Sequence, residues 1–487
     1  MKTYPMYING KAARGSHFHE VVNPATGKVI AKVPKATAGE TEAAIHAARD
    51  AFDKGPWRAT TAQASGRILF RMAELVRKNA ARLAELETLN TGKPIVESEF
   101  DMADTATCLE YYGGLATKIH GETLPVPDNA INFTLKEPVG VAGLIVPWNY
   151  PLMLMAWKLG PAIAAGCTVI VKPAEQTPLT TLEFMALVQK EITDLPAGVI
   201  NVVTGDGPTA GAALVESMRV DKVAFTGGTE TGRNILRGVA NSNLKKVTLE
   251  LGGKSPNIFF ADADLDAATD GALFGVFINQ GEVCSAGSRI LIQKEIFKKF
   301  IDRMKEKTRR IKLGDPMRRE TKMGPLVSRE HLEKVMSYIE IGCKEAKLVM
   351  GGHRPSAKDL KLGYFVEPTI FETDNKTSIA REEIFGPVVA CIPFKDEADA
   401  LQIANDTPYG LAAAVWSRDI FKCLNVVKNL RAGIVWVNTM QPCYVEAPWG
   451  GYKQSGHGRE MSLQGVEEFL EVKQVHINLN TNPIGWY

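Results

Sequence analysis

Two hydrophobic periods alternate along the chain. Over residues 37–53 apolar positions recur every three to four residues, and Thr37 stands three residues ahead of Glu40, a capping-box start, so a helix is predicted there. Segments 62–90, 179–191 and 294–312 carry the same helical period. Between them lie short apolar runs of strand character at 141–146, 168–171, 199–203, 222–225 and 257–260, most of them closed by Gly, Pro or Asp and followed by a helical pattern. Strands alternating with helices predict a parallel sheet in an α/β fold. A second strand-rich series, from Ser288 through 388–394, 412–416 and 433–437, predicts a second α/β domain. Segment 123–136 and the tail 471–479 also read as strands. Neither can bury a core of its own, so they are expected to pair with each other or with another subunit.

At about 100–200 residues per domain, 487 residues predict two to four domains. Apolar residues at 45% and charged residues at 23% are the balance of a globular chain that needs no disulfides to hold its cores. The net charge is +2, and the most basic stretch, 298–312, interleaves acids at helical spacing, which is a solvated face and not a nucleic-acid stripe. Seven cysteines without a CxxC pair point to free thiols in a reducing compartment, and the eight histidines form no HExxH or other metal-ligand spacing. No secretory apolar region follows Met1, and no apolar run reaches the roughly 18 residues of a membrane span. Residues 143–171 are the most apolar, but Pro147, Pro151, Lys158, Pro161 and Gly166 interrupt them. A cytoplasmic chain with neither membrane nor nucleic-acid partner is expected.

Four segments carry candidate chemistry. Cys284 follows a Gly-containing turn (Gln280-Gly281-Glu282-Val283) and precedes a strand-like run, where backbone dipoles can favour a nucleophilic thiolate; a lone Cys in a large chain is more often a small core residue. Glu250 ends an apolar strand ahead of Gly252 and Gly253, a setting that raises a carboxyl pKa and suits a general base, though a paired carboxylate fits the segment equally well. Asn149, between Pro147 and Pro151, either forms a turn or offers its amide to an oxyanion. Lys172 and Glu175 close one strand, and Gly227, Gly228 and Gly232 follow another at the start of a helix, a place suited to a pyrophosphate. Glu175 would hold ribose hydroxyls and repel a 2′-phosphate, favouring NAD over NADP. The acid precedes the glycines, the reverse of the common dinucleotide fingerprint.

Together these pieces resemble the aldehyde dehydrogenase superfamily over nearly the full chain, betaine aldehyde dehydrogenases most of all. The resemblance rests on Pro147-Trp-Asn-Tyr-Pro151, Leu249-Glu-Leu-Gly-Gly-Lys254, Gly281-Glu-Val-Cys284, Glu382-Glu-Ile-Phe-Gly-Pro387 and Pro448-Trp-Gly-Gly-Tyr-Lys-Gln-Ser-Gly456, in the family's order. It implies Cys284 as nucleophile, Glu250 as general base, Asn149 as oxyanion donor and Lys158 as a proton-relay lysine. It implies NAD as cofactor, held by Trp148, Lys172, Glu175, Gly207, Gly227, Gly228, Thr229, Gly232, Leu251, Gly252, His331, Glu383 and Phe385. Many members carry a relay Glu a few residues beyond the Gly-Arg-Glu motif; here Leu463 falls at that place, so the relay is expected to run through water or Lys158. The implied fold is two doubly wound parallel-sheet domains with a small β oligomerisation arm: an NAD-binding domain at 1–120 and 141–252, a catalytic domain at 253–452, and the arm and tail at 121–140 and 453–487, in a homodimer or homotetramer.

The implied activity is oxidation of an aldehyde to a carboxylic acid through a Cys284 thioester. Tyr150, Trp157 and Trp449 fall where relatives line the substrate channel, and an aromatic box attracts a trimethylammonio or amino group by cation–π attraction of roughly 0.5–2 kcal/mol per contact. Glu446 is expected to add negative charge at the mouth, whereas Ile278 stands where such enzymes often carry Phe or Trp. The alternatives are a broad-specificity dehydrogenase of neutral aldehydes and a catalytically silent family member, against which the intact Cys284, Glu250 and Asn149 speak.

Overall fold

Apolar runs buried on both faces make near-continuous hydrophobic strands, the signature of a parallel sheet covered by helices. In the computed structural model, which describes residues 1–487, Val141–Ile145, Thr168–Lys172, Ile200–Val202, Lys222–Thr226 and Lys246–Glu250 run parallel at the centre of an eight-stranded sheet. Numbered along the chain, these strands lie in the spatial order third, second, first, fourth, fifth. The order reverses between Val141–Ile145 and Lys222–Thr226, and in doubly wound sheets ligands bind outside the carboxyl ends of the strands at such a reversal. Met6–Ile8 and Lys11–Ala13 extend one edge antiparallel, and Gly456–His457 pairs with Lys246–Glu250 at the other. That last pairing corrects the expectation for the segment beginning at 453, whose first residues complete this sheet before the chain reaches the arm.

The run at 257–260, read with the first series, is instead a central strand of the second sheet, Pro256–Phe259, between Arg289–Gln293 and Ala412–Trp416. This seven-stranded sheet also holds Val388–Phe394, Thr369–Glu372 and Ile434–Val437 in parallel, with Lys347–Met350 antiparallel at one edge. Leu470–Asn478 pairs antiparallel with Ala130–Pro138 over their full length, from Leu470 opposite Pro138 to Asn478 opposite Ala130, and Thr123–Leu124 adds a third strand. Ile131, Leu135, Val472 and Ile477 on this arm are exposed. A further three-stranded sheet of Lys2–Thr3, Phe18–Asn23 and Lys28–Pro34 escaped the sequence reading, because His and Lys interrupt its alternation.

Helix α1 (Ala38–Asp53) starts with a complete capping box: Thr37 Oγ1 accepts from the Glu40 N–H at 3.2 Å, and Glu40 Oε2 accepts from the Thr37 N–H at 2.8 Å. The helical period over 62–90 is broken into α2 (Ala62–Lys78) and α3 (Ala80–Thr91). The Asn79 amide bends back to donate to the Leu75 carbonyl at 2.8 Å and so closes α2, a local competition with helix bonding that Asn favours. Similarly, the predicted 294–312 helix begins as a single tight turn at Lys294–Ile296 and is α-helical over Phe297–Thr308. Helix α5 (Pro151–Ala165) lies against Val141–Ile145 and Thr168–Lys172 beside the switch point, and α4 (Ile95–Leu115) and α6 (Leu179–Glu191) pack on α5. No helix is long and apolar enough to cross a membrane.

Candidate active site

The carboxyl end of Val141–Ile145 runs through Pro147, Trp148 and Asn149 into α5, whose first residue is Pro151, and proline's fixed φ suits that position. The neighbouring strand Lys222–Thr226 leads through Gly227 and Gly228 into the helix Thr229–Ala240. These two exits frame a cavity of about 210 Å³ at the switch point, lined by Trp148, Gly227, Gly228, Leu251, Gly252, His331, Glu383 and Phe385. A second cavity of about 580 Å³ is lined by Tyr150, Trp157, Ile278 and Trp449. Thr226, Glu250 and Cys284 line both, so the sulfur and the carboxylate stand where the two spaces meet.

Cys284 is brought there by an unusual backbone. After the helix Leu265–Phe277 the chain turns with Asn279 at φ 46° and Gln280 at φ 56°. Such left-handed residues cost free energy unless tied down. The Asn279 N–H donates to Glu97 Oε2 at 2.9 Å, and its side-chain amide donates to the Asn149 carbonyl at 3.2 Å. At Gly281 (φ 77°) a Cβ would stand 2.4 Å from the Gly386 carbonyl oxygen, and at Gly253 one would stand 2.6 Å from the Cys284 carbonyl oxygen, so both close approaches require glycine. Asn149 is buried, and its Nδ2 donates to the Glu282 carbonyl at 2.9 Å, fixing the amide beside the cysteine turn with a second N–H to spare.

Burial, with Glu250 and Glu383 alongside, pushes the Cys284 thiol well above its ordinary pKa. Burial and the proximity of Glu460 likewise raise the Glu250 carboxyl, while Trp449 Nε1 donates to its Oε1 at 3.3 Å and opposes that rise. Behind Glu250, the buried Lys158 ammonium donates to Thr226 Oγ1 at 2.6 Å and pairs with Glu460 Oε1 at 2.5 Å. The second oxygen of Glu460 is buried without a partner. This corrects the expected relay position: the acid of Gly458-Arg-Glu460 itself meets Lys158, and Leu463 is 45% exposed on the following helix. No acid beyond Glu460 is therefore missing.

Several anticipated cofactor residues lie outside the smaller cavity. Lys172 is buried at the end of its strand, with its side chain 3.8 Å from where a Gly211 Cβ would be. Glu175 is exposed, and its carbonyl is hydrogen-bonded to His19 Nε2 at 2.9 Å, a contact from the N-terminal sheet that the sequence did not suggest. Gly207 and Gly228 have open space where a Cβ would project, whereas Gly232 abuts Leu251, so its role is close packing of helix on loop. Thr229 Oγ1 is buried without a partner at the start of its helix. An orphaned hydroxyl beside the open Gly228 at a helix N-terminus fits the pyrophosphate of a dinucleotide. Trp148, His331 and Phe385 pack edge to face, with Trp148 at 5.1 Å from each of the other two, and His331 Nε2 donates to the Phe385 carbonyl at 2.6 Å, which secures Phe385 at φ 61°. Burial holds the His331 pKa down at about 4, so the ring is neutral at physiological pH. Glu383 Oε1 accepts from the Gly253 N–H at 2.9 Å.

In the larger cavity Trp157 and Trp449 meet edge to face at 5.5 Å. Glu446 is exposed and does not line this space, contrary to expectation. Besides Glu250, the acidic side chains that line it are Glu97, Asp101 and Asp104, all from α4. Their spacing of four and then three residues puts them on one helix face, a signal present in the sequence but unread.

The aldehyde dehydrogenase family model matches residues 11–475. Betaine aldehyde dehydrogenase from Bacillus subtilis is 46% identical over 99% of both chains. An aldehyde dehydrogenase from Emericella nidulans is also 46% identical, over 97% of this chain and 95% of its own. A crystal structure of betaine aldehyde dehydrogenase from Staphylococcus aureus in complex with NAD+ superposes with a TM-score of 0.97 at 43% identity, covering 99% of this chain and 97% of the other.

Proposed function

The chain belongs to the aldehyde dehydrogenase family, and from that membership we propose an NAD-dependent oxidation of betaine aldehyde, or a related amino- or trimethylammonio-aldehyde, through a thioester on Cys284. The observation that carries the catalytic reading is the junction: Cys284 and Glu250 border both the cleft at the switch point and the aromatic tunnel. NAD, when bound, supplies the hydride acceptor. Trp148, the Gly227–Gly228 turn, Thr229, Glu383 and Phe385 would hold it, with Lys172 and Glu175 at the adenosine end.

The residues of the chain divide the remaining work. Cys284 Sγ passes its proton to Glu250 and bonds to the aldehyde carbon, the C=O π pair moving onto oxygen, where the free Asn149 N–H and the Cys284 backbone N–H hold the oxyanion. Once the hemithioacetal carbon has lost its hydride, an acyl group remains on sulfur. Glu250, made more basic by burial and freed of the thiol proton, takes a proton from the water that hydrolyses this thioester. The Thr226, Lys158 and Glu460 chain leads inward from the same carboxylate and offers that proton an exit.

The substrate reading rests on the tunnel. Equal identity to relatives named for betaine aldehyde and to relatives named only as aldehyde dehydrogenases leaves the choice to the chemistry of its wall. Tyr150, Trp157 and Trp449 give π faces, and Asp104, ionised above about pH 6, gives negative charge, a combination suited to a cation and not required for a neutral chain. Ile278 supports the second reading, an apolar channel for neutral aldehydes. Steady-state kcat/KM for betaine aldehyde against propanal and benzaldehyde tests the choice. Betaine aldehyde is expected to lead, and a preference of about tenfold or more for either neutral aldehyde would overturn the cationic reading. We further propose that the exposed apolar face of the Leu470–Asn478 and Ala130–Pro138 arm joins copies of the chain into a dimer or tetramer.

A further inference from the structure

Behind the tunnel wall lies a charged side chain that the proposed chemistry does not use. Lys93 is fully buried, and it does not line the tunnel. Its ammonium sits 3.8 Å from the centroid of the Tyr150 ring and 2.5 Å from Asp101 Oδ2. Tyr150 and Asp101 both line the tunnel, so the lysine addresses two wall residues from their far side. Two further carboxyl groups, Glu87 and Glu97, face the same ammonium, and neither makes a hydrogen bond to it.

The consequence follows from electrostatics. An aromatic ring presents negative potential on both faces, and a cation held against one face draws that density toward itself. Its own field also reaches the opposite face, because little screening water separates them. A cationic substrate on the tunnel side of Tyr150 therefore meets a weakened π face and an Asp101 already neutralised. A neutral substrate of the same shape is indifferent to both effects.

We propose that Lys93 sets the tunnel's discrimination between cationic and neutral aldehydes, acting through Tyr150 and Asp101 as an internal competitor for the substrate's ammonium group. The inference deepens the proposed cationic-aldehyde reading and rests on it for its biological meaning. Lys93 is a tuning residue that touches neither substrate nor cofactor. It holds cation affinity below what the aromatic and acidic wall would otherwise give, which favours release of a product that retains the same cationic group.

The test is the ratio of kcat/KM for betaine aldehyde to that for 3,3-dimethylbutanal, its neutral carbon isostere, at saturating NAD+ and pH about 8.5, well above the pH of about 6 at which the wall carboxyl of Asp104 ionises. The parent enzyme, Lys93→Met, Lys93→Gln and Lys93→Arg are compared. Loss of the charge is expected to raise the ratio by about fivefold or more in Lys93→Met. Lys93→Gln, which keeps a donor for Asp101, is expected to do the same if the methionine variant folds poorly, and Lys93→Arg is expected to keep the parent ratio. A ratio that is unchanged because both aldehydes lose activity equally, or one that falls, overturns the proposal. A parent enzyme favouring 3,3-dimethylbutanal would instead sink the cationic-substrate reading, and the change on neutralising Lys93 would still be measured separately.

Discussion

The indole Nε1 of Trp449 donates to Glu250 Oε1 across 3.3 Å, so one side chain is both a wall of the aldehyde tunnel and a hydrogen-bond donor to the proposed base. A donor to the ionised form favours that form, and here it opposes the larger effect of burial, which raises the carboxyl pKa. Trp449→Phe keeps an aromatic wall and removes the donor. Glu250 then stays protonated to higher pH, and the acidic limb of the kcat–pH profile is expected to move upward by about half to one pH unit. An unmoved limb would mean that the contact does not act on the base.

Asp104 stands at the tunnel side of α4, where burial and the neighbouring Asp101 push its carboxyl up to about 6. The group is anionic above that pH and neutral below it, so its attraction for a cationic aldehyde is present at pH 7–8 and fades as pH falls through about 6. Asp104→Asn is expected to raise KM for betaine aldehyde about threefold to tenfold at pH 8, to flatten the rise in KM on acidification, and to leave KM for propanal unchanged. Equal effects on both aldehydes would assign Asp104 a structural role only.

Glu175 is exposed beyond the strand that ends at Lys172, with its carbonyl tied to His19. A carboxylate there repels a 2′-phosphate. Glu175→Gln is expected to raise kcat/KM for NADP+ by about tenfold or more while that for NAD+ falls modestly. Unchanged discrimination between the two dinucleotides would place the selectivity elsewhere.

The strands that build the site were legible because each is a short apolar run buried on both faces, and the runs at 388–394 and 412–416 match their strands residue for residue. Glu250, Asn149 and Cys284 were legible as motif residues, but their convergence was not, because it depends on the spatial order of the strands and on two left-handed residues, Asn279 and Gln280. The shared face of the α4 acids carries no local signal of what it meets, because α2, α3 and α5 all pack on α4, and only its packing against α5 shows which face meets the tunnel. Glu446 drew notice by its closeness in sequence to Trp449, yet the bend before Pro448 leaves it in solvent. Glu460 and His19 act across long sequence separations, and Lys93 reaches Tyr150 as well as the nearer Asp101; no local period marks them.

Ending the chain at residue 469 removes Leu470–Asn478 and leaves Ala130–Pro138 as an unpaired edge. If the arm joins subunits, sedimentation velocity is expected to show the assembly reduced to smaller species or aggregated, whereas an unaltered sedimentation coefficient per assembled mass would remove the arm from the interface.

The proposed catalysis depends most on an acyl group passing through Cys284 and leaving with the help of Glu250. Intact-protein mass spectrometry of Glu250→Gln, mixed with NAD+ and betaine aldehyde and quenched in acid, reads this directly. Expected are a stable adduct with the mass of the acyl group on Cys284, one NADH formed per active site, and then arrest. Sustained turnover without an adduct, or an adduct on any other residue, would contradict the account.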